Sequence, residues 1–589
     1  AQAAPLAAPP GVGRPRPRDA RPEPLRPTEA EDGSASGSMG LCGTKKQAPA
    51  AIEQSISTGP IVEEEKPLQG QSSVHSASNL GPAAPTAGSD HPPAARQPTD
   101  ASEERVRTMQ SWKTVAKESS LWRARLIMDN RGRVEDYYSV DKQKLGEGSF
   151  GYVCKGVSRE TGSTRAVKQL SKAIAKDLRR RFRQEIEIMK RVDHPNIIKL
   201  VETFEDKEHI FLVMELCEGG DLYERLAQQG PFSEADAALI MQQIFRPVCY
   251  MHGKGICHRD IKPENFLLLN QEPLEQNALK LIDFGFSCPV EPGQLLSTKL
   301  GTPRYTSPQV LAGSYDQSCD LWSCGVIMYV ILSGDSPWPG KSDAEVMQAV
   351  RRGNYRLASS LWRATSEDAK ALIRLLLKYQ PEERYTAEQA LAHCWIKDTA
   401  PEPSSTPALR PSIIADLRNF CRQSRLRQAA LQIVAQQLSE EETKGYRQSF
   451  AALDTCGKGV LSVWELVDSL QDDLKGSPKH WAVQELSGDG EDAVAEVGYT
   501  DFVAATLDTG RHLSEGACLA AFRAFDRNGD DRITQDELER LLKGGSGDID
   551  EATAADIAAL LREVDTNHDG VLSLEEFRRM LVGDQLTVD

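Results

Sequence analysis

Gly146-Glu147-Gly148-Ser149-Phe150-Gly151-Tyr152-Val153 is a glycine-rich run of the form GxGxxGxV, and its continuation decides the fold. Glycines at this spacing let backbone amides come close to a polyphosphate. A dinucleotide-binding fold would need a helix to open at the third glycine. Here Tyr152-Val153-Cys154-Lys155-Gly156-Val157 instead continues as a strand. Further on, Lys168 in Arg165-Ala166-Val167-Lys168 supplies a cation for the α and β phosphates. Glu185, on a helix expected over 182–192, can fix that lysine by an ion pair. Taken singly, a strand lysine and a helix glutamate are ordinary solvated surface.

The next motifs remove the ambiguity. His258-Arg259-Asp260-Ile261-Lys262-Pro263-Glu264-Asn265 and then Asp283-Phe284-Gly285 each come after apolar, strand-like sequence. In order and spacing, 146–396 resembles the eukaryotic protein kinases. The resemblance implies a bilobal α+β fold over 138–396, with ATP and magnesium as cofactors. Gly146, Gly148, Gly151 and Val153 would then cover the nucleotide, with Lys168 on its phosphates and Glu185 holding Lys168. Asp260 would orient the substrate hydroxyl or accept its proton, Lys262 would neutralise the transferring phosphoryl group, and Asn265 and Asp283 would hold magnesium. A loose transition state carries its charge on equatorial oxygens, so metals, a lysine and positioning supply most of the catalysis.

Lys262 within this motif is similar to the Ser/Thr class rather than the tyrosine class. Leu212-Val213-Met214-Glu215-Leu216-Cys217 resembles the hinge, with Met214 as gatekeeper, Glu215 and Cys217 offering backbone groups to adenine, and Asp221 facing the ribose. Asp221 and Glu264 also occupy positions where basophilic kinases bind an arginine upstream of the phosphoacceptor. Protein substrates with Ser or Thr near basic residues are the implied partners.

One position departs from the pattern. The family's Ala-Pro-Glu is replaced by Ser307-Pro308-Gln309, removing the carboxylate that usually pairs with an arginine, here Arg384. An unpaired buried cation costs several kcal/mol, although a glutamine carbonyl can still accept a hydrogen bond. The departure bears on lobe stability more than on chemistry, because Lys168, Glu185, Asp260, Asn265 and Asp283 are all present. A catalytically weak, scaffolding pseudokinase is therefore the lesser alternative.

Downstream, 565–576 fits a calcium-binding EF-hand loop throughout: Asp565, Asn567 and Asp569 offer oxygens, Gly570 makes the turn, Val571 offers its carbonyl, and Glu576 closes the site. The loop 526–537 matches with Asp526, Asn528, Asp530, the Arg532 carbonyl and Glu537, but has Asp531 where glycine is usual. Aspartate tolerates the left-handed conformation required there. Because such hands come in pairs, 454–465 and 490–501 are read as two degenerate hands. The first has Cys456 and Lys458 in place of oxygen ligands, and the second keeps only Asp492 and Asp501 with an apolar frame. An all-α four-EF-hand, calmodulin-like domain over 438–589 is the result, with calcium expected at the last two loops.

Between the two blocks lie a Pro/Ser-rich linker from 397 and a basic amphipathic helix over 411–437. Leu417, Phe420, Leu426, Ala430, Ile433 and Val434 form an apolar stripe, and Arg418, Arg422 and Arg425 share another face. Calmodulin-like grooves bind such helices. From about 110 to 589 the order of parts resembles the calcium-dependent protein kinases of plants and apicomplexan parasites. The resemblance implies an autoinhibitory junction, 397–437, that blocks the substrate cleft at rest and is withdrawn when calcium binds. A kinase needing separate calmodulin is a third reading.

Charge sharpens this division. The chain carries a net −16 in 589 residues, which argues against nucleic acid as a partner, yet 438–589 alone holds 33 Asp and Glu against 14 Lys and Arg. The acidity belongs to the calcium block. Twelve scattered cysteines without a CxxC fit free thiols in a reducing, cytoplasmic compartment. Residues 1–105, rich in Ala, Pro, Ser and Gly, are expected to be disordered, and 106–137 to be a partly helical extension. Met39-Gly40-Leu41-Cys42-Gly43-Thr44 matches an N-myristoylation pattern with a palmitoylation-ready cysteine. Peripheral membrane attachment through Gly40 and Cys42 is expected if Met39 is the true start.

Overall fold

The structure is a computed structural model describing residues 126–148, 151–173, 176–357, 360–401, 413–462, 465–466, 496–513, 515–542 and 551–582. The expected disordered tail, the acylation motif, the tip of the glycine-rich loop and the first half of the second degenerate hand, 490–495, lie outside these residues.

Strands β1 (Met128–Arg131), β2 (Tyr138–Gly148), β3 (Gly151–Ser158), β4 (Thr164–Ser171), β5 (Leu200–Glu205) and β6 (His209–Met214) form one sheet in the order β1-β5-β6-β4-β3-β2. The glycine-rich run makes the β2–β3 hairpin, as its continuation into a strand required, with Gly148 opposite Gly151. Gly151 has a steric reason to be glycine: a Cβ there would collide with the Gln169 carbonyl oxygen of β4. Helix α1 (Lys176–Arg191) begins earlier than expected and carries Glu185 on its buried face.

The described part of the extension holds a strand that the sequence did not announce, then one helical turn, Val134–Tyr137. Strand β1 runs parallel to β5 and covers what would otherwise be an open edge. Asp129 fastens it, taking the Lys190 ammonium at 2.6 Å and the Thr203 hydroxyl at 2.6 Å. These partners sit 61 and 74 residues away, so local sequence pattern carried no trace of the strand.

The larger lobe is built on helices α2 (Leu222–Gln229), α3 (Glu234–Gly253) and α4 (Ser318–Ser333). Helix α4 is apolar on nearly every face and is buried all round, as such a helix must be. Trp322 within it stacks on Trp338 with centroids 5.0 Å apart.

The junction forms two helices rather than the single one expected: α5 (Ile413–Arg422) and α6 (Arg425–Gln437). Ser424 breaks the run by capping α6, its hydroxyl accepting the Arg427 amide, because serine is more favourable at a cap than inside a helix. The predicted apolar stripe is buried throughout. Ile413 and Leu417 of α5 pack with Phe450, Leu461, Val497 and Phe502 of the first two hands. Leu426, Ala430, Ile433 and Val434 of α6 pack with Phe522, Phe525, Ile533, Leu572 and Phe577 of the last two.

Each pair of hands is joined by a short antiparallel ladder. Leu461 pairs with Val497 and Ile533 with Leu572, which are the eighth residues of the four loops as read from sequence. This register places the eighth positions opposite each other in both pairs.

This helical domain lies against the sheet-bearing block. Arg165 donates to the Gln437 carbonyl at 2.7 Å, Lys199 to the Ala435 carbonyl at 3.1 Å, and Arg523 pairs with Glu160 at 2.6 Å.

Candidate active site and calcium loops

Lys168 projects from β4, where its register partner on β3 is Val153, and meets Glu185 of α1 at 2.6 Å. Burial works against the lysine's charge, and Glu185 and Asp283 together override it and raise its pKa. Burial likewise pushes the Asp283 carboxyl up, but Lys168, His258 and the Gly285 amide hold it below the ordinary value. Three predicted residues therefore converge as one charged group, with Asp283 facing the Lys168–Glu185 pair.

The second group centres on Asp260. Its Oδ2 receives the Lys262 ammonium at 2.7 Å, and the Asn265 amide donates to its backbone carbonyl at 2.8 Å. Oδ1 accepts both the amide (3.0 Å) and the hydroxyl (2.8 Å) of Thr302. Sequence reading missed Thr302, which lies in the Gly301-Thr302-Pro303 turn and reaches Asp260 only through the fold.

It also missed Asp320, fully buried at the start of α4. Asp320 accepts the amides of His258 (2.9 Å) and Arg259 (2.8 Å) and bonds the His252 ring at 2.9 Å. Those contacts hold the loop in a costly shape, for Arg259 takes a left-handed backbone angle, φ 71°. An aspartate inside an otherwise apolar helix was the signal that could have found it.

At the hinge, Met214 ends β6 and the Glu215 amide donates to the Lys199 carbonyl at 3.1 Å. The Glu215 side chain points away from the nucleotide side, into a buried pair with Lys280 at 2.8 Å. Lys280 is shared with Glu440 (3.3 Å), the first residue of α7 (Glu440–Leu453). Cys217 is half-buried. Asp221 caps α2 by accepting the Glu224 amide at 2.7 Å, and burial raises its carboxyl. Glu264 is raised by burial too, and its Oε2 is buried with no hydrogen-bond partner among the described residues.

The substitution at Gln309 is resolved by geometry. Its Oε1 accepts from Arg384 at 3.1 Å while its amide donates to the Tyr379 carbonyl at 2.6 Å. Arg384 finds further acceptors in the carbonyls of Lys378 and Ser318 and lies over the Trp322 ring. Burial pulls its pKa down to about 10, so it stays charged at neutral pH without a carboxylate.

The loops 526–537 and 565–576 have matching geometry. Asp526 takes the amides of Gly529, Asp530 and Asp531, and Glu537 bridges the Arg527 and Asn528 amides to Thr534. Asp531 sits at φ 60°, the conformation expected of it in place of glycine. The amides of Arg532 and Val571 are turned to Asp530 and Asp569. Asn567 accepts the Asp569 amide, and Glu576 joins the Thr566 and Asn567 amides to Ser573. Asp565 Oδ1 is buried without a partner among the described residues. That orphaned oxygen, amid hard oxygen donors, fits a calcium ion.

The chain matches the protein kinase domain family over residues 139–396 and the EF-hand domain pair over 517–582. It is 37% identical over 461 residues to calcium-dependent protein kinase 5 of Plasmodium falciparum, covering 78% of this chain and 80% of that protein. With calcium-dependent protein kinase 3 of Plasmodium berghei it shares 38% over 460 residues, 77% of this chain and 82% of that one. With calcium-dependent protein kinase 21 of Arabidopsis thaliana it shares 36% over 456 residues, 76% and 83%. Identity of this extent, over both the catalytic block and the paired hands, places the chain in the family of calcium-dependent protein kinases of the plant and apicomplexan type.

Proposed function

We propose that this kinase transfers the γ-phosphate of ATP to Ser or Thr in basic surroundings, and that calcium at loops 526–537 and 565–576 frees its substrate cleft by capturing the junction. The burial of the α6 stripe among the last two hands carries this reading. The groove that would hold the target of a separate calmodulin is here filled by the chain's own helix, which favours built-in control over an external partner.

Asp260, held by Thr302 and Lys262, is placed to take the proton of the substrate hydroxyl as its oxygen attacks the γ-phosphorus and ADP leaves. Lys262 stands beside it to neutralise the transferring group, and Lys168, clamped by Glu185, orients the α and β phosphates. Magnesium held by Asn265 and Asp283 would supply charge neutralisation along the phosphates. The unpartnered Glu264 oxygen and the raised Asp221 carboxyl would both be relieved by a substrate guanidinium, which supports the basic preference.

A calcium titration of the purified chain with magnesium-ATP and a basic Ser/Thr peptide tests the proposal. The pair Glu537→Gln and Glu576→Gln should abolish calcium stimulation. Stimulation that survives the pair would overturn it, and a chain inert until calmodulin is added would favour external control.

A further inference from the structure

Glu215, the hinge residue expected to offer its backbone to adenine, is pinned by two lysines. Its amide donates to the Lys199 carbonyl at 3.1 Å, and the Lys199 amide donates back to its Oε1 at 2.7 Å. Its Oε2 takes the Lys280 ammonium at 2.8 Å. Lys280 lies on a short strand, Leu279–Leu281, that leads directly to Asp283, so it also braces the approach to the expected magnesium ligand.

Neither lysine stops at the hinge. The Lys199 ammonium donates to the Ala435 carbonyl of α6 at 3.1 Å, and the Lys280 ammonium to Glu440 of α7 at 3.3 Å. Arg447, two turns further along α7, holds the other Glu440 oxygen at 2.5 Å. Glu215, Lys280 and Arg447 are all buried. Arg447, Glu440, Lys280 and Glu215 thus form an alternating chain of charges from the calcium block to the hinge.

Burial opposes the charge of both lysines, and on each the same two carboxylates, Glu215 and then Glu440, resist it. On Lys280 the carboxylates prevail and raise its pKa, whereas burial pulls Lys199 down to about 8. Removing one member of a buried ionic group leaves its partners uncompensated. Withdrawal of the calcium block takes away the Ala435 carbonyl and Glu440 together, and both losses fall on lysines that hold Glu215.

We propose that Lys199 and Lys280 relay the docking of the calcium block to the adenine-binding hinge, so that calcium tightens the hold on ATP, with Glu440 as a positioning residue for the nucleotide. The proposal rests on calcium-driven capture of the junction and gives it a second consequence. Besides freeing the substrate cleft, the docked block braces the nucleotide side. Coupling between two binding sites is reciprocal, so bound ATP must in turn favour calcium binding.

Equilibrium binding of a non-hydrolysable ATP analogue with magnesium to the full-length protein, in calcium and in chelator, tests the relay. Calcium should lower the analogue's Kd about fivefold, the lower end of typical coupling between sites, and the analogue should move the calcium midpoint to lower concentration. Glu440→Gln should bring the two Kd values to within about twofold of each other. Lys444→Met is the control, because it breaks a 2.8 Å pair with Glu272 between the same two domains while leaving the relay lysines and Glu440 in place. It should keep the calcium-dependent difference. Turnover at saturating magnesium-ATP should still rise with calcium in Glu440→Gln, so that the change falls on KM for ATP rather than on kcat. Lost stimulation in that variant would make Glu440 a docking residue only and overturn its positioning role. Equal Kd values in the unaltered protein, or the same loss in both variants, would overturn the relay. Native mass spectrometry of the same samples separates the two readings: bound calcium with unchanged nucleotide affinity overturns the relay alone, and no bound calcium overturns the calcium reading and the relay with it.

Discussion

A neutral amide suffices at Gln309 because the buried guanidinium it faces is satisfied mostly by backbone carbonyls. Gln309→Ala should therefore cost about 1.5–3 kcal/mol, the range of one hydrogen bond to a charged group, rather than the larger cost of a buried charge left unpaired. A thermal melt reads the loss, and peptide KM should stay unchanged. Glu576 gives a pH signature in the calcium-free protein. Burial pushes its carboxyl up, but bonds from Ser573, Thr566 and Asn567 outweigh this and hold it at about 2, against 4.5 unperturbed. A depressed carboxyl contributes stability above its unfolded value, and loses it as pH falls through the folded one. The amides of Val571–Ser573 should thus stay protected at pH 4 and open as pH approaches 2, which exchange measured against pH would show. Motif residues such as Lys168, Asp260 and Asp283 were legible because chemistry demands those types at those spacings. Thr302 and Asp320 were not, because ordinary residue types acquire their roles only from partners tens of positions away.

At the scale of elements, periodic features were read correctly and boundaries were not. The eighth residues of all four hands fell in register, and the junction stripe was buried as predicted, yet the junction itself is two helices capped at Ser424. Serine's preference for a cap outweighed the continuity of the apolar pattern. Ile433 in α6 is 2% exposed among the side chains of the last two hands. Ile433→Ala removes packing worth about 2–4 kcal/mol from the captured state. Half-maximal activation should then need more calcium, with maximal turnover retained, and an unmoved calcium midpoint would contradict the capture of α6.

Across the whole molecule, the acid excess is structural as well as calcium-directed. Glu440 shares Lys280 with the hinge residue Glu215, and Lys444 meets Glu272 at 2.8 Å, so the calmodulin-like block uses both its acids and its lysines to grip the kinase domain. The described residues hold no helix long and apolar enough to cross a membrane. Strand β1 has a consequence for anyone shortening this protein. The kinase family match starts at residue 139, but a chain trimmed there would bare the backbone of β5 and also lose Leu126, which packs with α6. Naked strand edges recruit copies of themselves. Such a fragment should self-associate as its concentration rises on a sizing column, while one beginning at Leu126 should elute as a single monomeric peak. The practical start of the catalytic unit lies upstream of where family resemblance begins.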